Sequence, residues 1–388
     1  MTEITGLCPD RFARVREAFD ANFENGGELG ARFSFAIDGE IVVDLMGGHA
    51  DRKRETPFGP DTLTALFSTT KAVAALMVAR LVDEGRLAYD QPVADVWPEF
   101  AQAGKGEVTV EQALSHQAGL SGFPDETDPA IWFDWDATCA KLAAMAPLFP
   151  IGSASGYHPV TYGYLAGEIF RRVDGRTLGT ALREDLCEPF GLDIWIGLPD
   201  SEHGRVAELM RPTALPKFGE LNDAVQAAFL KPWSSPGGKG AAEWRRVEIP
   251  SANGHATAPA LARLMSALAG DGTLDGRSII TPAGIKAATT QRIVGQDLVL
   301  PYVISWGAGF MRNEPNFYYG PTNEAFGHSG WGGSCAFADP TRGVSGAYVM
   351  NKQGNALIGD PRAVRLIEAA YASLGAGTAA TRVRFQAP

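Results

Sequence analysis

The chain has 388 residues, of which 45% are hydrophobic and 20% are charged. This composition provides for a sizeable folded core and excludes an intrinsically disordered chain. The formal net charge is −11 at pH 7 and the basic residues are scattered instead of forming a stripe, so we expect no nucleic-acid partner.

The N-terminal segment and the cysteines bear on the compartment. MTEITGLCPDRFARVREAF lacks the basic start, apolar core and cleavage site of a secretory signal, which predicts a cytoplasmic location. No uninterrupted apolar run approaches the ~20 residues that span a bilayer, so we expect no membrane partner. The cysteines are widely spaced without a CxxC pair, which indicates buried free thiols instead of disulfides or a zinc cluster. They are Cys8, Cys139, Cys187 and Cys335.

The first elements can be read from hydrophobic spacing. An amphipathic helix is predicted from about residue 10 to 25, followed by two β-rich runs that flank Asp38 and Gly39. An Asp-Gly pair between two such runs predicts a hairpin. The segment LFSTTKAVAALMVARLVDEG is apolar at helical spacing and ends at Gly85, a residue suited to a left-handed helix cap. Ser68 lies at the start of this helix.

The rest of the chain divides into two parts. From about residue 90 to 250, helices alternate with Pro- and Gly-rich loops, one of them at 232 to 240. Beyond this region a helix, ATAPALARLMSALAGDG, precedes three predicted strands, ISWGAGF, GGSCAFADP and GVSGAYVMNK, and a closing helix, DPRAVRLIEAAYASLG.

Short turns between successive strands favour antiparallel pairing, so the pattern predicts an α+β fold. An antiparallel sheet flanked by helices would be built from both chain ends, residues 1–65 and 251–388. A mainly helical inserted region, residues 66–250, would carry the candidate nucleophile. We expect one catalytic unit with its active site between these two parts.

Ser68 and Lys71 are the first candidates for chemistry. They stand three residues apart on the predicted helix, so their side chains share a face and can reach each other. Burial and the positive field of a helix N-terminus would favour a neutral Lys71, which could accept the serine proton. The SxxK spacing alone is a weak signal, and a serine that only caps the helix is the alternative.

Three segments support a catalytic role for Ser68 and Lys71. FSTTK, DEGRLAYDQPVADVWPEF and LSHQAGL resemble the serine β-lactamase and penicillin-binding family in order and spacing, over nearly the whole chain. The resemblance is greatest to the family VIII carboxylesterases, relatives of class C β-lactamases. It implies a serine β-lactamase/transpeptidase-like fold in which Ser68 is the nucleophile and Lys71 the base.

A tyrosine motif is the second element of this resemblance. ASGYHPVTYGYLAGEIFRRVDG resembles the esterase version, which assigns the catalytic tyrosine to Tyr157 and leaves Tyr162 and Tyr164 as packing residues. A tyrosinate beside Lys71 could relay the proton to the leaving alkoxide and later activate water. Pro159 stands where β-lactamases carry Asn, so the side-chain amide that would meet a β-lactam is missing.

The third element resembles the KTG motif, which lies on an edge strand beside the nucleophile. GHSGWGGSCAFADP places His328, Ser329 and Gly330 there, and His328 could be neutral or charged near pH 7. Loss of the lysine charge shifts the expected substrates from penicillins toward neutral esters. The resemblance also implies an oxyanion hole from the backbone N–H groups of Ser68 and Trp331, and substrate binding along His328, Ser329, Gly330, Trp331 and Gly332.

Other chemistries lack their motifs. The sequence contains no GxSxG elbow and no HExxH, so we expect neither an α/β-hydrolase nor a metal site, and no cofactor. His116 and His255 are interpreted as structural turn residues. Aromatic residues of the helical region pack in the core or, alternatively, line an acyl pocket. They are Phe123, Trp132, Phe133, Trp135 and Trp233.

The sequence therefore predicts a serine carboxylesterase that cleaves small-molecule esters of short to medium acyl chains through an acyl-enzyme on Ser68. One alternative is a β-lactamase, D-amino-peptide hydrolase or acyltransferase of the same fold. Another is a non-catalytic module that binds a muropeptide or acyl ligand, although Ser68, Lys71 and Tyr157 all being present counts against it. The oligomeric state stays open.

Overall fold

A computed structural model describes residues 2–214 and 216–375 of the chain. Its strands, in chain order, are β1 Ile4–Leu7, β2 Gly30–Ile37, β3 Glu40–Gly48, β4 Thr64–Ala65, β5 Ile194–Trp195, β6 His255–Ala256, β7 Thr273–Leu274, β8 Arg277–Ser278, β9 Ile293–Gln296, β10 Val303–Trp306, β11 Met311–Arg312, β12 Phe326–Ser329, β13 Cys335–Asp339 and β14 Val344–Met350. Within the described residues, nine of these strands form an antiparallel sheet in the order β1-β3-β2-β14-β13-β12-β11-β10-β9.

Helices cover both faces of this sheet. They are α1 Ala13–Phe23, α2 Thr70–Asp83, α3 Val110–Leu114, α4 Trp135–Ala144, α5 Thr161–Asp174, α6 Leu178–Leu182, α7 Glu188–Phe190, α8 Asp223–Val225, α9 Ala242–Arg246, α10 Ala258–Ala269, α11 Pro282–Thr289 and α12 Pro361–Ser373. α1 and α12 pack on one face, and α10 packs on the other.

The alternation of side chains along β13 and β14 explains this layering. Phe337 and Tyr348 point into the core cluster that contains α1 and α12. Their neighbours Ala336 and Ala347 point into the cluster that contains α2 and α10. Successive residues of a strand face opposite sides, so small residues on one face let α10 approach closely while large aromatic residues fill the other. The predicted α+β architecture is confirmed.

The hairpin between β2 and β3 forms where the sequence predicts it. Asp38 and Gly39 connect the two strands, with φ angles of 48° and 86°. Two consecutive positive φ angles are the geometry of the turn that matches strand twist, and Asp-Gly adopts them readily. The resulting pair places Phe33 opposite Leu45, both fully buried.

Three elements position the candidate site. α2 follows a 3₁₀ turn, Phe67–Thr69, and it contacts both α5 and β12. Nearly every residue of α2 is buried, which agrees with its continuous apolar sequence and makes it the central helix of the fold. The start of α2, the segment before α5 and the end of β12 therefore meet in one place.

Two expectations about strands need correction. β1 and β9 were not predicted, because each is only four residues long and has an exposed face. The strand with His328 was expected at a sheet edge, but β12 pairs with β13 on one side and with β11 on the other. β11 reaches only Phe326 and Gly327, so the outer edge of His328 and Ser329 is left unpaired.

The predicted division of the chain stays an interpretation. All nine strands of the large sheet fall within residues 1–65 and 251–388, whereas described residues of 66–250 contain mostly helices and the short β5. Residues 376–388 of the predicted core segment lie outside the described residues. All four cysteines are free thiols, and Cys8 is the partly exposed one. In the described ranges, no helix has both the length and the apolar character needed to cross a membrane.

Candidate active site

The turn before α2 presents Ser68 to solvent. Ser68 is partly exposed although its neighbours on both sides are buried. Phe67 has a φ of 47°, a left-handed conformation that costs energy for a residue with a side chain. The turn is fixed through Leu66, whose N–H donates to the carbonyl of Gly254 at 2.8 Å and whose carbonyl accepts from Ser334 Oγ at 2.7 Å. The serine hydroxyl is thus held at a rigid, accessible corner.

Lys71 lies beneath this hydroxyl and is fully buried. Its Nζ is 3.2 Å from Ser68 Oγ, 2.8 Å from the carbonyl of Pro159 and 3.0 Å from the carbonyl of Ser251. No described carboxylate forms an ion pair with it, and burial lowers the pKa of Lys71 well below its usual value. In the neutral form that burial favours, the amine has two N–H groups and one lone pair, so the two carbonyls would accept both donors and the lone pair would face Ser68.

Tyr157 is the third candidate side chain, next to Ser68 and Lys71. It is 4% exposed, its ring centroid is 4.8 Å from Lys71 Nζ, and it lines the same cavity as Ser68. The ring stacks on Trp306 with centroids 5.8 Å apart and an interplanar angle of 12°. Burial raises the pKa of Tyr157 above its usual value. The tyrosinate considered from the sequence is therefore disfavoured, and the side chain is a phenol that can donate a proton.

Asp297 holds the backbone of Tyr157, a contact that the sequence did not reveal. Its Oδ1 accepts the N–H of Tyr157 at 3.0 Å and those of Val299 and Leu300 at 2.9 Å each, while Oδ2 accepts Ser155 Oγ at 2.7 Å. Bonds to its own second and third following residues are typical of Asp in a turn. That local pattern is visible in DLVL, but the bond across 140 residues is not.

The backbone around Trp331 leaves a donor free. The N–H of Gly330 donates to the carbonyl of Ser334 at 2.7 Å, and that of Gly333 donates to the carbonyl of Gly330 at 3.1 Å, so the turn is closed on itself. Within residues 2–214 and 216–375, the N–H groups of Trp331 and Ser68 have no hydrogen-bond acceptor. Two unpaired donors beside a candidate nucleophile such as Ser68 are what an oxyanion hole requires.

His328 is fully buried, whereas a residue that contacts substrate directly would be exposed to the cavity. Its Nδ1 lies 2.8 Å from the carbonyl of Ser329, and burial lowers the pKa of His328 to about 3. Of the two states left open by the sequence, the structure therefore favours the neutral imidazole. Ser329 Oγ lies 3.1 Å from the hydroxyl of Tyr319. The substrate-binding roles of His328, Ser329, Gly330 and Gly332 stay predictions.

A cavity of about 140 Å³ opens at Ser68. Tyr157 and Trp331 line it together with Ser68, and the lining also includes residues that the sequence did not single out. These are Phe218, Phe229, Ser234, Ser235, Lys239, Leu300 and Leu357.

Of the aromatic residues that the sequence assigned either to the core or to an acyl pocket, Phe123 and Trp132 stack in the buried core with ring centroids 4.9 Å apart. The packing interpretation is therefore the right one for these two.

Comparison with known proteins agrees with this geometry. Residues 15–370 match the protein family described as Beta-lactamase, so the chain belongs to that family. It is an esterase-like hydrolase of the β-lactamase fold, as the sequence resemblance implied.

Its relatives include both esterases and penicillin-binding protein homologues. Esterase/beta-lactamase LipL of Mycobacterium tuberculosis is 34% identical over 366 residues, which cover 90% of this chain and 83% of that protein. A penicillin-binding protein homolog from Caulobacter crescentus has a crystal structure that is 88% identical, with a TM-score of 0.94 over 96% of this chain and 100% of that one. A family VIII carboxylesterase structure is 46% identical, with a TM-score of 0.89 over the same shares of the two chains.

Proposed function

We propose that the protein is a serine carboxylesterase that cleaves small-molecule esters of short to medium acyl chains. The observation that carries this proposal is the arrangement of Lys71, whose two donors are occupied by carbonyl groups and whose remaining position faces Ser68 Oγ at 3.2 Å. Names of relatives, such as esterase and family VIII carboxylesterase, support the same activity. The cavity is smaller than sites for drug-sized ligands, which suits a short acyl chain.

Acylation uses the three side chains in sequence. Neutral Lys71 accepts the proton of Ser68 as Oγ forms a bond to the ester carbonyl carbon, and the carbonyl oxygen becomes an oxyanion. The N–H groups of Ser68 and Trp331 stabilise that charge, and one such donor is typically worth about 3 kcal/mol of the barrier. The bond to the alkoxide then breaks, and the alkoxide receives the phenolic proton of Tyr157, which regains a proton from Lys71.

Deacylation repeats these steps with water. Neutral Lys71 takes a proton from water through Tyr157, and the water oxygen attacks the acyl carbon. The bond to Ser68 Oγ breaks, Oγ takes the proton that Lys71 holds, and the carboxylic acid leaves. Every proton that is removed is returned, so the cycle needs no cofactor.

β-Lactam hydrolysis is not favoured by the site. Pro159 has no side-chain donor for the amide group of a β-lactam, and its carbonyl is already engaged by Lys71. His328 carries no charge at the position of the KTG lysine. A non-catalytic binding module would have no use for a buried neutral amine aimed at a serine, because burial of that amine costs stability.

Labelling and turnover test the proposal together. We expect a fluorophosphonate to add once per chain, with peptide mapping placing the adduct on Ser68, and p-nitrophenyl acetate and butyrate to be hydrolysed. Ser68→Ala should lose both the adduct and the turnover, whereas Ser201→Ala, at an exposed serine outside the cavity, should keep both. Equal thermal unfolding of the two variants would exclude misfolding. Turnover that survives in a folded Ser68→Ala protein would rule out the mechanism.

A further inference from the structure

Lys239 is a cationic side chain that lines the cavity, and it takes no part in the reaction proposed above. It lies in the loop between α8 and α9, and it lines the same cavity as Ser68. Its Nζ donates to Ser235 Oγ at 2.7 Å and lies 5.8 Å from the ring centroid of Trp331. Trp331 also supplies one of the two free N–H groups beside the nucleophile. The ammonium therefore lines the same cavity as Ser68 and lies beside Trp331.

The ammonium of Lys239 has no counterion in the described part of the chain. No described carboxylate lies within ion-pair distance of it, and none of the described residues that line the cavity is Asp or Glu. One hydroxyl uses one of its three donors. An ammonium that is partly removed from water without an anionic partner costs free energy, and an anionic ligand would recover part of that cost.

The other titratable groups around Ser68 favour their uncharged forms, so Lys239 supplies positive charge to the cavity. Burial lowers the pKa of Lys71 and of His328 and raises that of Tyr157, which favours the uncharged form of each. Burial lowers the pKa of Lys239 to about 8, and the positive charge of Arg211 acts in the same direction. Lys239 is therefore still mostly protonated at pH 7, and Arg211 adds to the positive potential at its side of the cavity.

We propose that Lys239 binds a carboxylate of the substrate, so that the esters preferred by this enzyme carry a second, ionised carboxyl group. This inference rests on the proposed esterase function and names its substrate class. The bonds made and broken are those of the hydrolysis described above, and Lys239 contributes binding alone. It also revises the expectation of neutral esters, because the missing charge of the KTG-like strand is replaced from another loop.

Matched ester pairs test this proposal. On the acyl side the pair is mono-p-nitrophenyl glutarate and p-nitrophenyl hexanoate, and on the alcohol side it is para-acetoxybenzoate and its methyl ester. The readout is the ratio of kcat/KM for the anionic ester to that for the neutral ester. We expect a ratio above one for one of the two pairs, which tells whether the carboxylate lies on the acyl or the alcohol part.

Variants of Lys239 separate charge from structure. Lys239→Met should lower that ratio by about tenfold or more, the usual size for one charge-assisted hydrogen bond. Lys239→Arg should keep it within about threefold. Lys231→Met is the matched control, because Lys231 is on the same loop and lies over Trp233 outside the cavity, and its ratio should equal that of the wild type. The proposal is overturned if Lys239→Met has the same ratio as the wild type for both ester pairs. It is also overturned if Lys231→Met lowers the ratio as much as Lys239→Met does.

A binding measurement keeps the inference separate from the esterase proposal. Equilibrium dialysis of mono-p-nitrophenyl glutarate and para-acetoxybenzoate with Ser68→Ala and with the Ser68→Ala/Lys239→Met double variant requires no turnover. Tighter binding of either anionic ester by Ser68→Ala, lost in the double variant, supports the carboxylate site even if the esterase proposal fails. Equal binding by the two proteins overturns the inference, and hydrolysis of p-nitrophenyl hexanoate that depends on Ser68 would leave the esterase proposal standing.

Discussion

Replacing Asp297 tests whether a buried carboxylate positions Tyr157 for proton transfer. Asp297 touches none of the groups that exchange protons, but its Oδ1 accepts three backbone N–H groups, including that of Tyr157. Asp297→Ala leaves all three donors without an acceptor. Asp297→Asn keeps an oxygen at that position, and its Nδ2 can donate to Ser155, whose hydroxyl is able to reorient. The two variants therefore separate the loss of geometry from the loss of charge.

The expected magnitudes follow from these hydrogen bonds. A buried donor without a partner costs about 1–3 kcal/mol, so three of them in Asp297→Ala should lower the free energy of unfolding by about 3 kcal/mol or more. Displacement of a catalytic group by about 1 Å can cost about a hundredfold in rate, and we expect a loss of this size in kcat. Asp297→Asn should stay within about 1 kcal/mol of the wild type, because removal of a buried charge offsets the weaker hydrogen bonds.

The assay is hydrolysis of p-nitrophenyl butyrate, with kcat and KM determined separately, next to urea unfolding of each variant. We expect kcat to fall in Asp297→Ala with a smaller change in KM, and to be largely rescued in Asp297→Asn. A folded Asp297→Ala protein with the kcat of the wild type would refute the positioning role. So would an equal loss of kcat in both variants, since that would assign the effect to charge alone.

Three further predictions concern protonation and specificity. Lys71→Met should abolish most turnover and should flatten the pH dependence of stability. Because the pKa of Lys71 is lowered in the folded protein, the unfolded chain binds an extra proton, and wild-type stability should rise as the pH increases toward the usual lysine pKa, as urea unfolding at several pH values would show. His328→Asn should leave the shape of the pH profile of kcat/KM between pH 5 and 8 as it is, because the imidazole titrates at about 3, and a lost ionisation would contradict this. Nitrocefin should be turned over much more slowly than p-nitrophenyl butyrate, and Pro159→Asn should raise the nitrocefin rate relative to the ester rate; an efficient wild-type lactamase rate would contradict the role assigned to Pro159.

The parts of the site that follow from local rules were predictable from the sequence. Ser68 and Lys71 meet because residues three apart share a helix face, and the hairpin at Asp38 and Gly39 follows from the turn that this pair favours. Tyr157 was found through a motif with a recognisable order of residues, and the structure brings it to Ser68.

The parts that depend on distant contacts were not predictable. Asp297 meets Tyr157 across 140 residues, and no local pattern encodes that pairing. Lys239 belongs to a Pro- and Gly-rich loop whose path over the cavity depends on how the helical region packs. The protonation states of Tyr157 and His328 likewise depend on burial, which the order of residues alone does not give.

The charge state of the resting site explains how it can favour the transition state over the bound ester. Burial favours the neutral forms of the amine of Lys71, the phenol of Tyr157 and the imidazole of His328 before reaction. In the proposed mechanism, Lys71 becomes an ammonium when Ser68 attacks, at the same time as an oxyanion forms at the N–H groups of Ser68 and Trp331. Two opposite charges thus appear together in a poorly solvated site, where their attraction is stronger than in water. Because neither charge exists in the ground state, this attraction lowers the barrier without tightening substrate binding.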